Sequence, residues 1–182
     1  MDKVLVTYAS RIGATTEVAH VVGEQLSRAG LDVDVRPVQQ ARDARLYSAV
    51  IIGSSIYFRH WDKDAVRYLR AQAPDLAERP VWLFQTGAHR DDAQQEQFVP
   101  PSMIRRLIAD IGIENPVVVF DGDPDRARGR LAKWVTNSSI SGDSRGFLHI
   151  RTWATDIAHE LLEASSGGSA PLNRSVFDSA ST

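Results

Sequence analysis

Short runs that are apolar at nearly every position recur along this chain, separated by segments with helical spacing. Lys3 to Tyr8 reads K-V-L-V-T-Y and Ala49 to Gly53 reads A-V-I-I-G; Val81 to Thr86 and Pro116 to Phe120 are of the same kind. A strand with one face in water alternates apolar and polar residues. A strand apolar throughout is buried on both faces, as in a parallel sheet covered by helices. Leu31 to Val38 adds a strand with Leu31, Val33 and Val35 in alternation. Between these runs, Val18, Ala19, Val22, Leu26 and Ala29 fall on one helical face, and Gly30 closes it as a residue just past a helix should. A second helix carries Ala65, Val66, Leu69 and Ala73 between a capping Asp62 and Pro74. A third carries Ile104, Leu107, Ile108 and Ile111 between Ser102 and Gly112. Gln39 to Leu46 is polar and weakly helical, and Thr152 opens a last helix with Trp153, Ile157, Leu161 and Leu162 on one face. Strands alternating with helices imply right-handed crossovers and a parallel sheet. The expected fold is therefore α/β: a doubly wound five-stranded parallel sheet in a three-layer αβα sandwich.

One stretch breaks the rhythm. Residues 121–151 hold a helical piece from Arg126 to Val135 and a polar loop with Gly142 and Gly146, and read as an insertion beside the last strand. Residues 1–163 then form one domain, and the Ser/Gly-rich segment 164–182 reads as a disordered tail. The Asp121, Asp123, Asp125 series lacks the glycine and distal glutamate of a calcium loop, so no metal site is expected. The chain contains no cysteine, which excludes disulfides and thiol nucleophiles. A net charge of −2 over 182 residues lacks the basic footprint of a nucleic-acid binder. No apolar run is long enough to span a membrane, and no basic segment followed by an apolar stretch opens the chain. The expectation is a cytoplasmic protein, with peripheral membrane contact through the insertion left open.

The first strand-loop-helix carries Ser10-Arg11-Ile12-Gly13-Ala14-Thr15-Thr16. A helix start offers unpaired N–H groups and a partial positive charge. Hydroxyls of Ser10, Thr15 and Thr16 add donors, and Gly13 lets the backbone come close to a ligand. Such a loop can hold a phosphate monoester without lysine. It is neither a Walker A loop nor a Gly-x-Gly-x-x-Gly dinucleotide loop. The plain alternative is a βα turn capped by a serine.

The pattern Ser/Thr-x-x-Gly-x-Thr after the first strand resembles the phosphate loop of the flavodoxin family. Val4-Leu5-Val6-Thr7-Tyr8 and Val50-Ile51-Ile52-Gly53-Ser54-Ser55-Ile56 are similar to the flavodoxin-domain branch that includes menaquinone-dependent protoporphyrinogen oxidase. In that branch an aromatic, a histidine and a helix follow the third strand; here these are Phe58, His60 and the helix from Asp62. The similarity covers roughly residues 1–165, including the insertion and the Thr152-Trp153 helix start. Ile12 stands where the family usually has a polar residue, and Arg59 where the oxidase branch tends to have glycine. The resemblance implies a flavodoxin-like fold with FMN bound at its switch point.

Ligands of open α/β sheets sit beyond the carboxyl ends of the strands. The first loop would supply Ser10, Arg11, Ile12, Gly13, Ala14 and Thr15 to the FMN phosphate. The second would supply Ser54, Ser55 and Ile56, with Tyr57, Phe58 and Trp61 as aromatic walls for the ring. The third would supply Thr86, Gly87, Ala88 and His89. A flavin ring has apolar faces and hydrogen-bonding edges, which suits that combination. His60 is the candidate for proton transfer. The expected function is an FMN-dependent oxidoreductase of the protoporphyrinogen oxidase type, passing electrons from an organic reductant to a quinone-like acceptor or a redox partner protein. A flavodoxin-type carrier is the first alternative, although such carriers are typically strongly acidic. A flavin-free interaction domain is the second.

Overall fold

The structure is a computed structural model that describes residues 3–11, 13–41, 43–58, 60–87, 100–121 and 144–166. In chain order it contains β1 (Lys3–Ala9), α1 (Ala14–Arg28), β2 (Asp32–Pro37), a 3-10 turn (Ala44–Leu46), β3 (Ala49–Tyr57) and β4 (His60–Trp61). There follow α2 (Lys63–Ala71), α3 (Ala73–Leu76), β5 (Val81–Gly87), α4 (Ser102–Ile111), β6 (Val117–Asp121) and α5 (Ser144–Ser166). The five long strands lie in the order β2-β1-β3-β5-β6 and every pair among them is parallel. The chain leaves β1 toward β2 on one side and resumes at β3 on the other. The winding direction therefore reverses between β1 and β3, where the loops after the two strands diverge and open a crevice.

Successive strand residues point to opposite faces, and the core divides accordingly. Leu5, Val50, Ile52, Val81 and Leu83 pack under α2, α3 and α4 with Leu69, Leu76 and Ile104. Val4, Val6, Ile51, Trp82 and Phe84 pack under α1 and α5 with Val22, Leu26, Ile157 and Leu161. This is the three-layer sandwich that the apolar strand runs imply. Phe84, Phe120 and Trp153 meet as a cluster with ring centroids 5.4–6.0 Å apart. Gly53 belongs to the same face because the Phe84 ring lies across it, where a Cβ would stand 2.1 Å from Cζ.

The described structure departs from the sequence expectation at several boundaries. The third strand does not end at Gly53: it continues to Tyr57, because Ser54 and Ser55 pair in register with Gln85 and Thr86 of β5. The segment expected as a loop from Ser54 to Trp61 is thus the end of β3 and a hairpin to β4, with Ile56 opposite Trp61 and Tyr57 opposite His60. The helix expected up to Pro74 stops at Ala71, and Pro74 instead lies in the first turn of α3, where its missing N–H costs nothing. Among the described residues of the polar 39–46 segment, Ala44–Leu46 alone is helical, as a single 3-10 turn. The last helix starts at Ser144 rather than Thr152, since Ile150 is buried among the α1 and α5 core residues and continues the apolar face of Ile157 and Leu161. That helix reaches Ser166, into the segment read as tail. The Arg126–Val135 helical piece and residues 167–182 lie outside the described residues.

Two carboxyls near the sheet edge predict an acid limb of stability. The side-chain hydrogen bond from Arg45, then its backbone N–H, holds the Asp43 carboxyl down to about 2. Around Asp34, burial is outweighed by the Tyr47 hydroxyl, Arg36 and Lys3, which leave that carboxyl below its usual range. In both cases the unfolded chain binds protons more readily than the fold at acid pH. Stability is therefore intact above the ordinary value of 3.8 and falls as pH drops toward about 2. Thermal melts as a function of pH should show this, with a shallower acid limb in Asp43→Asn and in Asp34→Asn. An unaltered limb in both would remove the two carboxyls as its cause.

Candidate functional site

The carboxyl ends of β1, β3 and β5 lie side by side, with Ala9 opposite Ser54 and Ser55 opposite Thr86. The three loops singled out from the sequence therefore start at one edge of the sheet. The first is closed by its own residues. The Ser10 hydroxyl oxygen accepts a hydrogen bond from the Gly13 N–H at 3.0 Å. Gly13 is the residue that caps α1, at φ 100°, a backbone conformation that side-chain-bearing residues seldom adopt. The Gly13 carbonyl accepts from the Glu17 N–H at 3.0 Å and starts the helix ladder. The serine cap of the plain βα turn is thus replaced by glycine. No side chain caps α1, so its first N–H groups are left for a ligand.

Arg11 turns away from the loop toward the hairpin. Its Nε donates to Asp62 Oδ2 at 3.1 Å. Asp62 does two jobs, because its other oxygen accepts from the Asp64 N–H at 2.9 Å and caps α2. The ion pair ties the first loop to the second. A link between the first and third loops lies deeper: the Thr15 and Thr86 hydroxyls, both buried, meet at 2.7 Å.

In the second loop, Ser54 is fully buried; its hydroxyl donates to the Ser55 carbonyl and accepts from the Asp62 N–H. Ser55 presents a buried Oγ with no hydrogen-bond partner among the described residues. An orphaned hydroxyl of this kind costs stability unless a ligand satisfies it. Phe58 lies at φ 47°, in the left-handed region that bulky residues avoid. Strain of this sort is held in place where surrounding structure demands it, often at binding sites. It turns the Phe58 ring outward, 86% exposed, edge to face with half-exposed Tyr57 at 5.0 Å. His60 Nδ1 lies 2.6 Å from the Phe58 carbonyl. A carbonyl only accepts, so Nδ1 is the donor in this contact, and Nε2 is the ring nitrogen not engaged by it.

Trp61 is placed differently from its two aromatic neighbours. It is 4% exposed, packs in the core beneath α2, and donates its Nε1–H to the buried Gln85 Oε1 at 2.9 Å. Sequence alone grouped it with the exposed aromatics; its strand register, opposite Ile56, sends it inward. In the third loop, Gly87 ends β5 where a Cβ would meet Ile56 Cγ2 at 3.0 Å. Ile12, Ala88 and His89 lie outside the described residues. Gln85 and Asp62 are the residues that sequence reading missed as organisers. Asp62 was legible as a helix cap, whereas nothing in the pattern signals its bond to Arg11.

The residues present suit a flat phosphorylated ligand. The start of α1 has no side-chain cap, an orphaned serine hydroxyl and a glycine backbone lie at the next two strand ends, and an exposed aromatic pair stands beside them. No helix among the described residues is long and apolar enough to cross a membrane.

Comparison with known proteins agrees with this fold. A family model described as a flavodoxin domain matches residues 5–119. No curated protein matches the sequence. Among solved structures, oxidised flavodoxin 2 from Bacillus cereus has a TM-score of 0.62 at 18% identity, covering 87% of this chain and 99% of that one. A flavodoxin from the domain Archaea has a TM-score of 0.60 at 14% identity, covering 88% and 99%. Rubredoxin oxygen:oxidoreductase from Desulfovibrio gigas has a TM-score of 0.61 at 15% identity. It covers 92% of this chain, which spans only 37% of that protein. At these identities the structural likeness establishes the fold. These comparisons establish the flavodoxin domain and its fold, and do not support the narrower protoporphyrinogen oxidase branch.

Proposed function

We propose that this chain, which belongs to the flavodoxin domain family, binds FMN at the β1/β3 switch point and passes electrons between redox partners. The observation that carries the reading is the convergence of an uncapped helix start, the orphaned Ser55 hydroxyl and the exposed Tyr57–Phe58 pair on one sheet edge. In this reading the first N–H groups of α1 and the Ser10 hydroxyl hold the phosphate. If Thr86 donates to Thr15, the Thr15 O–H is free to donate to the phosphate as well. Tyr57 and Phe58 cover the ring, while the Ser55 hydroxyl and Gly87 backbone face its polar edge. Bound FMN supplies the electron and hydride chemistry that side chains lack. The protein orients it and excludes water.

The test is titration of the purified chain with FMN, followed by flavin fluorescence. Saturable binding is expected, and Thr15→Ala should weaken it by about tenfold, the cost of roughly one charge-assisted hydrogen bond. No binding would leave the flavin-free interaction domain as the reading.

A narrower second reading makes the protein an oxidase for an organic reductant of the protoporphyrinogen kind, with a quinone-like acceptor. One observation favours it: the exposed His60 imidazole stands at the hairpin rim with Nδ1 held by the Phe58 carbonyl and Nε2 turned to a role in proton transfer that a simple electron carrier does not need. Anaerobic addition of protoporphyrinogen to FMN-loaded protein decides between them. Bleaching of the flavin supports the oxidase, and an unchanged oxidised spectrum leaves the carrier.

A further inference from the structure

We propose that α2 and the β3–β4 hairpin form a docking face for an acidic redox protein, a partner assignment that rests on the proposed flavin function. A groove of about 770 Å³ runs from the hairpin along α2 to α4. Lys63, Arg67 and Arg70 stand at i, i+4 and i+7 and form one exposed basic stripe along its rim. Arg11 and His60 line the same groove at its hairpin end, and Val66 and Met103 give it an apolar floor.

The groove carries more positive than negative charge. Arg11 is paired with Asp62 and Arg67 with Asp64. Lys63 and Arg70 have no carboxylate partner among the described residues. Among the described residues, four cations against two carboxylates leave two positive charges uncompensated on this face. Arg70 reaches Met103 Sδ at 3.7 Å, which lays its guanidinium beside the apolar floor. An uncompensated basic stripe of this kind steers an incoming acidic partner before contact.

The other half of an interface stands at the hairpin end. Tyr57 and Phe58 are 50% and 86% exposed, and aromatic anchors beside an apolar strip and a charged rim are the usual anatomy of a transient protein contact. The face is continuous with the loops that would hold the flavin, because Arg11 and His60 belong to both. A partner seated here is brought close to the flavin edge. Two uncompensated charges are too few for the basic footprint of a nucleic-acid site.

The probe is a strongly acidic plant-type ferredoxin, fluorescently labelled, titrated by anisotropy against the FMN-loaded full chain and against flavin-free chain. Binding is expected to weaken steeply as salt rises. The triple variant Lys63→Glu, Arg67→Glu, Arg70→Glu should lower affinity by about tenfold or more at low salt, and the Lys63→Gln, Arg67→Gln, Arg70→Gln variant by less. All three positions are exposed, so both variants should keep the parent melting temperature and FMN affinity. Absence of binding, or binding that charge reversal leaves unchanged, overturns the docking face. Binding to phosphatidylglycerol vesicles in place of the ferredoxin also overturns it, in favour of a lipid surface. If FMN fails to bind yet the ferredoxin still docks in a charge-dependent way, the flavin reading falls and the docking face stands.

Discussion

Gly13→Val is expected to lower FMN affinity by about tenfold or more, equivalent to roughly 1.4 kcal/mol, and to cost stability as well. Residue 13 lies at φ 100° and opens α1. A β-branched residue held in a sparsely populated backbone region costs on the order of 1–3 kcal/mol. Its branch would also stand where the phosphate must approach the first N–H groups of the helix. The two effects separate with a matched control. Gly30 lies at φ 96° at the other end of the same helix, and a Cβ there would have nothing within 4 Å. Gly30→Val should therefore lower the melting temperature by a similar amount and leave FMN affinity unchanged. Equal FMN affinity in the two variants would dissociate the loop from the phosphate.

In the core, Gly53→Ala is expected to destabilise the fold by about 3 kcal/mol, the upper part of the range for overpacking. That corresponds to roughly 6–12 °C in melting temperature for a domain of this size. The new Cβ would meet Phe84 Cζ at 2.1 Å and the two Cε atoms at 2.5 and 2.6 Å. The ring has little room to retreat, because it is fully buried and held by Phe120 and Trp153. Phe84→Leu shortens the obstacle. Added to Gly53→Ala, it should cost less than the sum of the two single changes, with a coupling of about 1 kcal/mol or more. Strict additivity in that cycle would show that the ring is not what excludes a side chain at position 53.

Much of this fold is written locally. The Val4-Leu5-Val6 and Val50-Ile51-Ile52 runs identified buried parallel strands because only a strand covered on both faces can be apolar throughout. Gly30 and Gly112 marked helix ends for an equally local reason, and both lie in the left-handed region past α1 and α4. The first strand-loop-helix turn was legible because its glycine and hydroxyls lie within a few consecutive residues. The hairpin was not. Ser54 and Ser55 look like loop residues, and only their pairing with Gln85 and Thr86 extends β3 through them.

The fate of the three hairpin aromatics shows the same division. Tyr57, Phe58 and Trp61 are equivalent as sequence, yet Trp61 points inward to Gln85 while Phe58 is driven outward by its own strained backbone. Register decides this, since one residue of shift sends a side chain to the opposite face. Arg11 is a parallel case: its pairing with Asp62 joins residues 51 apart in the chain. Local pattern was enough for the layers, the parallel character of the strands and the position of the first loop, because periodicity and turn chemistry act over a few residues. The hairpin, the direction of each aromatic, the Thr15–Thr86 contact and the basic groove along α2 exist only once the chain has folded. Those depend on which distant segments meet, and no run of neighbouring residues carries that information.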